Sequence, residues 1–546
     1  MAVVFKSARD FMKYSMEVFI MYDFVLKDGL VVDGTRKPPY KASVCIKGDK
    51  IAEITDDPDI QGNKIINCQG KVISPGFIDL HTHSDACPLN SKESESMLHQ
   101  GVTLEVTGNC GISLIPSNKS NREEIREFFS RTIEIGIEDT SLEIDNMKDY
   151  IEIASKNPLR INTATLIGHG TLRACVIGFD DREPTNEELD KMKNMLHEEL
   201  KNGAYGMSLG LIYPPSSYGK LNEFVELSKV IKANNGILTV HLRSESNLVS
   251  EAVDEMIKVA ELSGVHLHIS HLKLIGKPQW GNSQKLLDKI EAARQRGCNI
   301  TCDQYPYEAT STGLSALVPG WAQDGGNSKM LRRLKTKDSR LLLDIASEME
   351  RRGGEKCVGI SSTHGHIPEV DGKNIEQISR IYNLSPVDTV IKILIQCSGE
   401  VSAIYYSLSL VDVLNIMKEM DIAVGSDGYN FSYDLQYNPH PRCFGTFPRF
   451  LQMVRENNLM PLEDAVYKIT GLSAQIINLP DRGVLKVNNI ADITVFDFDE
   501  VKDMSTFVHS PVKPVGIYHV FVAGVPALID GVKTKNKKGR VLLKNN

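Results

Sequence analysis

The chain has 546 residues, 41% hydrophobic and 24% charged, which is a globular composition too long for one simple core. Its formal net charge of −8 offers no footprint for nucleic acid, and the single basic stretch, KTKNKKGR at 533–540, reads as a solvated end. No apolar run is long enough to span a bilayer. The ten cysteines are scattered without a C-x-x-C pair, which fits reduced thiols of a cytoplasmic protein rather than a disulfide framework.

In chain order, residues 1–21 form an N-terminal extension whose apolar residues are broken by Lys6, Arg9, Asp10, Lys13 and Glu17. That text lacks the unbroken apolar segment and cleavage site of a signal peptide. It reads as a short amphipathic helix or an extension ahead of a later start at Met16 or Met21. Residues 22–75 alternate short apolar runs with turns (DFVLKDGLVVDG, ASVCIKGDKIAEI), the texture of hairpins. The C-terminal part repeats it in ADITVFDF and GIYHVFVAGVPALIDG, so 22–75 and 481–546 together are expected to form one small β-sandwich domain. The long middle, 76–480, alternates apolar strands with amphipathic helices, the pattern of a parallel α/β fold. Its candidate strands are 77–83, 102–107, 161–168, 204–209, 237–242, 266–271, 299–305 and 422–427. Helical text separates most of them, and the helix in NLVSEAVDEMIKVAELSG should stop at Gly264. Eight such strands close a (β/α)8 TIM-type barrel. A Gly-, Ser- and charge-rich stretch at about 306–410 separates the seventh and eighth strands and reads as an insertion over the barrel mouth.

Chemically capable residues gather at the C-terminal ends of these strands, the face on which barrel enzymes build their sites. GFIDLHTHSD ends the first strand with His81 and His83, which share a face at i and i+2. TGNCG places Cys110 after the second strand, GHG places His169 after the third, and HLR places His241 and Arg243 at the fifth. SHLK gives His271 and Lys273 at the sixth, and VGSDG gives Asp427 at the eighth. Any one of these residues alone is more often structural; six strand ends in register on one face are a candidate site. Four imidazoles, a thiol and a carboxylate suit zinc, with the glycines beside Cys110 letting the backbone place its thiolate. Zinc at such a site lowers the pKa of water to about 7, and Asp427 would take the proton and hand it to the leaving group.

GFIDLHTHSD, TGNCG, SLGLIYPP, the HLR and SHLK segments, DQYPY, VGSDG, HPRCFGTFPR and ADITVFD together resemble the N-acyl-D-amino-acid deacylases (D-aminoacylases) of the amidohydrolase superfamily. The resemblance runs from about residue 22 through nearly the whole chain. It implies a tight zinc site of Cys110, His241 and His271, and a second, weaker one of His81, His83 and the same cysteine. It also implies Asp427 as the catalytic aspartate, Arg442 as the holder of the substrate carboxylate, and a small-molecule N-acyl-D-amino acid as substrate. Arg243 and Lys273 either bind substrate or neutralise nearby acids, and Tyr213 and Tyr305 either line a pocket or pack. His169 is a further substrate-side candidate and the fallback proton carrier; His440 reads as structural, and His268 stands in for His271 if the sixth-strand register differs. Two rivals remain. A cyclic-amide hydrolase of the dihydropyrimidinase type uses a carboxylated lysine after the fourth strand, where this chain reads GAYGMSLG without a lysine. An inactive barrel scaffold would have lost ligands that this chain keeps. The acyl group, the side chain of the substrate and the oligomeric state are left open.

Overall fold

A computed structural model describes residues 21–133 and 136–544. The expected extension therefore lies outside the described residues except for Met21. Eight parallel strands form the barrel: Phe77–Asp79, Val102–Thr107, Asn162–Thr165 continued by Ile167–Gly168, Gly206–Gly210, Ile237–His241, His266–Ile269, Ile300–Gln304 and Ile422–Val424. They pair in chain order. The ring closes just past the first and eighth strands, where His83 N donates to Gly428 O and Asp427 N to His81 O at 2.9 and 2.8 Å. The strands are buried on both faces, which is why they read as near-continuous aliphatic runs.

The helices between them bury one stripe each. The helix Asn186–Lys201 starts in a capping box between Thr185 and Glu188. The helix Val249–Ser263 ends at Gly264 with φ 69°, the left-handed cap its sequence predicts. Sequence reading errs in running three strands through the site. They stop at Asp79, Ile269 and Val424, two to three residues before His81, His271 and Asp427. The latter two carry φ of 38° and 52°, a conformation no strand can contain.

Below the barrel, both ends of the chain share one nine-stranded sheet. Its seam is Val72–Pro75 running antiparallel to Ile493–Phe496. One core takes Leu26, Val44, Ile46 and Ile73 from the N-terminal side and Ile493, Val495 and Phe521 from the C-terminal side. Between the seventh and eighth barrel strands, the inserted stretch is a folded unit rather than a loose loop. It holds an antiparallel sheet of Thr310–Gly313, Ser402–Tyr405 and Val358–Ser362. Four longer helices cover a separate core that includes Leu314, Leu341, Ile345, Ile378 and Ile393. Its Gly and Ser content conceals the amphipathic helices Ser339–Arg351 and Pro386–Gln396.

Phe77 joins the barrel to the shared sheet. It is fully buried, its ring stacks on Phe447 at 5.9 Å and meets Phe496 edge-on at 5.8 Å. These partners lie on the helix after the eighth strand and on the shared sheet. Phe77→Ala should cost about 3–5 kcal/mol of stability, read as a lowered midpoint in chemical denaturation; a loss under about 1 kcal/mol would show that this junction is not a shared core.

Candidate metal centre

Cys110 sits at the centre of the barrel mouth, in the turn TGNCG after the second strand, with φ 53°. Its flanking glycines are dictated by space as well as by their own positive φ. A Cβ on Gly108 would lie 2.0 Å from Leu166 O, and one on Gly111 would lie 2.6 Å from Gly210 N. The turn is thus pressed against the third and fourth strands, and the thiol has one place to go.

Three imidazoles converge on that thiol. His81 Nε2, His271 Nε2 and His241 Nδ1 lie 3.3, 3.5 and 3.6 Å from Cys110 Sγ. The other nitrogen of each ring faces a carboxylate: His81 Nδ1 is 3.4 Å from Asp303, His271 Nδ1 is 3.0 Å from Glu245, and His241 Nε2 is 3.5 Å from Glu245. Carboxylates behind imidazoles fix tautomer and ring orientation, as they do in metal sites. Burial alone would raise the thiol pKa, but the positive field of His81 and hydrogen bonds from His241 and His271 hold it well below its ordinary value. Cys110 is therefore a thiolate in waiting, at 3% exposure.

His83 stands at the edge of this group, with Nε2 3.1 Å from Asp427 Oδ1. Asp427 Oδ1 also lies 3.3 Å from His81 Nε2, and Oδ2 accepts from Arg442 Nη1 at 2.7 Å. Burial disfavours the ionised carboxyl, yet Arg442, His271 and His81 more than offset it and keep Asp427 well below the usual carboxylate range. Asp79, fully buried, staples the base of the site: its Oδ1 accepts from the backbone of both His81 and Ser426.

The structure sorts the remaining sequence candidates. Lys273 is in the cleft, its ammonium donating to Glu245 and lying 2.7 Å from His271 Nδ1. Tyr213 is there too, bonded to Thr312 at 2.9 Å and edge-on to His241. Arg442 and Tyr305 share the same wall, the guanidinium 5.0 Å from the ring centroid. Arg243 and His169 do not line the cleft. Of its two readings Arg243 takes the second, neutralising an acid: it turns away to Glu255 and also donates to the carbonyls of Ser217 and Gly219, so its place among the substrate-binding candidates is corrected. His169 is sealed beneath the surface between Ser216 and Glu223, whose carboxylate also binds Arg173, so it has no path to a proton in the cleft. His268 is no stand-in ligand: it holds Asp303 at 2.7 Å. His440 bonds Ala309 O, as a structural residue would. Sequence reading misses Glu245 and Asp303. Glu245 lies four residues after His241 in HLRSE, a spacing that could have found it, whereas Asp303 in the DQYPY segment stands far in sequence from every ligand.

The residues fit a zinc-type ion on two observations. A thiol with several imidazoles is the donor set zinc prefers. In addition, one ring nitrogen each of His81, His241 and His271 is turned inward to within 3.6 Å of Cys110 Sγ. Two groups have donor atoms mutually within 4.8 Å: His81, Cys110, His271 and Asp427, and His241, Glu245 and His271.

A closed parallel barrel with this site on its C-terminal face defines a metal-dependent amidohydrolase. A model of the amidohydrolase family matches residues 417–527. The chain is 33% identical over 522 residues to the D-aminoacylase of Alcaligenes xylosoxydans xylosoxydans, covering 95% of this chain and 97% of that one. The protein belongs to the D-aminoacylase family. A solved D-aminoacylase structure, studied for a binuclear metal centre with one-metal activation and second-metal attenuation, matches with a TM-score of 0.79 at 33% identity, covering 96% of this chain and all of that one. The N-acyl-D-glutamate deacylase of Bordetella bronchiseptica, solved with zinc and a phosphonate mimic of the tetrahedral intermediate, matches at 0.80 and 27% over 96% and 100% of the two chains. An L-hydantoinase (dihydropyrimidinase) of Arthrobacter aurescens shares the fold at a TM-score of 0.55 and 14% identity, over 96% of this chain and all of that one.

Two outcomes follow for the centre. Cys110→Ala should retain the circular dichroism spectrum of the parent and lose stoichiometric zinc by mass spectrometry; a full zinc complement would refute a thiolate-centred site. Glu245→Gln should weaken zinc affinity about 10–100-fold through misoriented His241 and His271, measured by competition with a chromogenic chelator; parental affinity would show that Glu245 serves only Lys273.

Proposed function

We propose that the protein is a zinc-dependent hydrolase of the amide bond of N-acyl-D-amino acids, releasing a carboxylate and a free D-amino acid. The observation that carries this reading is the Cys110 thiol at the meeting point of three imidazoles, beside an Arg442-paired Asp427. Cys110, His241 and His271 would hold the tight zinc, and His81 and His83, with the same thiolate, a weaker second ion. Bound zinc supplies Lewis acidity, activating water and polarising the scissile carbonyl.

The protein side chains do the rest. Asp427 is the base: ionised by its partners, it accepts a proton from the attacking water and returns it to the departing amine. Arg442 has a double task. Its Nη1 fixes Asp427 and Nη2 reaches Ser311 O, which leaves Nε buried without a partner. The Tyr305 hydroxyl beside it is also buried and unpartnered. Unmet buried donors of this kind are costly until a ligand satisfies them, and the α-carboxylate of the substrate is such a ligand. Lys273, tied to Glu245, stays near His271 and orders the floor of the cleft.

In this scheme 76–480 is the catalytic barrel, and 22–75 with 481–546 its supporting β-domain. All ten cysteines are unpaired in disulfides, which fits a reducing cytoplasm. No helix among the described residues is long and apolar enough to cross a membrane.

Asp427→Asn should keep zinc and lose about 10²–10⁴ in kcat, since an amide cannot accept the proton. Near-parental kcat at saturating zinc would remove Asp427 from the proton path. In a screen of N-acetyl-D- and L-amino acids, turnover should be confined to the D series; comparable L turnover would overturn the stereochemical assignment.

A further inference from the structure

His169 has no path to the cleft, yet buried charge is concentrated on it. His169 and Arg173 lie one turn apart on the helix His169–Val176, and both reach Glu223 on the helix Leu221–Ala233. Arg173 Nη1 donates to the two carboxylate oxygens of Glu223 at 2.8 and 2.6 Å. Glu223 Oε1 lies 2.9 Å from His169 Nε2, and His169 Nδ1 lies 2.8 Å from Ser216 Oγ. With the Nε2 proton given to the carboxylate, Nδ1 is the acceptor and the Ser216 hydroxyl donates to it. The oxygen of that hydroxyl in turn accepts from Gly210 N at 3.2 Å. None of Arg173, Glu223, His169 and Ser216 is more than 3% exposed.

Buried ion pairs are a poor source of stability, since apolar side chains of the same volume often hold a core as well or better. What apolar packing lacks is the direction that hydrogen bonds impose. Here the bonds run from Arg173 through Glu223, His169 and Ser216 to Gly210, and so end on the loop between the fourth strand and the next long helix. That loop carries Tyr213 into the cleft. Tyr213 N donates to Gly210 O, and Ser217 N donates to Tyr213 O, both at 2.9 Å. Ser216 therefore holds Gly210 by its hydroxyl and Ser217 by the peptide bond, and those two residues hold the backbone of Tyr213. The Tyr213 ring stands edge-on to His241 at 5.2 Å, and its hydroxyl is 2.9 Å from Thr312. The turn of Cys110 has a brace of its own, with Gly111 N donating to Ser208 Oγ at 2.9 Å and that hydroxyl donating to Gly108 O.

We propose that His169, held by Glu223 and Arg173, is a positioning residue: through Ser216 it fixes the loop of Tyr213 and so places the Tyr213 hydroxyl for the reacting substrate. The effect on turnover rests on the deacylase reading; the hold on the loop does not. Ser216→Ala removes one hydroxyl, a break mild enough to fold even where His169→Leu does not. In the zinc-loaded full-length protein, Ser216→Ala should lower kcat for N-acetyl-D-amino acids about 10–100-fold and leave KM within about twofold, the mark of a misplaced group that acts in the transition state. Its zinc content by mass spectrometry and its circular dichroism spectrum should stay parental. The loss should not add to that of Tyr213→Phe, so the double variant should match Tyr213→Phe alone. A parental kcat in Ser216→Ala, losses that add in the double variant, or loss of zinc would each overturn the proposal. Hydrogen exchange read by mass spectrometry needs no substrate. Amides of residues 211–217 should exchange about 10-fold faster in Ser216→Ala while those of the helix Leu221–Ala233 keep their parental rates; unchanged exchange in the loop would also overturn it. A loop loosened by Ser216→Ala in a protein whose parent hydrolyses no N-acyl-D-amino acid would uphold the hold on the loop and defeat the deacylase reading instead.

Discussion

One thiol organises this molecule. Three imidazoles aim at Cys110 from the first, fifth and sixth strand ends, and a buried carboxylate stands behind each. Remove the sulfur and the imidazoles have no common focus; remove the carboxylates and the rings lose the tautomers that point the lone pairs inward. The barrel supplies what such a focus requires, which is strand ends brought close together on a rigid ring.

The focus is reached by bending the backbone, not by extending the strands. Cys110, His271 and Asp427 all adopt positive φ, which non-glycine residues rarely accept. Each such residue costs on the order of 1–3 kcal/mol and survives only where its surroundings fix it. Here the surroundings are explicit: Gly108 and Gly111 against neighbouring strands, Asp303 Oδ1 on the amide of His271, and the carbonyl of His81 on the amide of Asp427. Asp79 then ties the first and eighth strand ends to one another. Precision at the centre thus rests on hydrogen bonds and close contacts outside it.

These features explain how far the sequence could be read. The eight strands were legible because parallel barrel strands are aliphatic on both faces, and the Cys and His residues because they stand directly after those runs. The ends of the strands were not, since an apolar stretch such as Ile422–Val424 gives no sign that the chain turns left-handed three residues later. Arg243 and His169 occupy sequence positions equivalent to real site residues, but a side chain one step along a turn can face outward or downward, and only the fold decides which. Asp303 was illegible for the opposite reason. Its role depends on a partner far away in sequence, His81.

The seam between Val72–Pro75 and Ile493–Phe496 has a consequence for how the protein is made. The first half of the sheet leaves the ribosome early, with one flank of Val72–Pro75 paired to the opening strand and the other open. Its partner is encoded more than 400 residues later, which at ordinary elongation rates is a wait of roughly 20–80 s. Throughout that interval an unpaired hydrophobic edge is displayed next to a barrel that is still incomplete. The nascent chain is therefore exposed to wrong strand partners until Ile493–Phe496 has been translated and docks on Val72–Pro75.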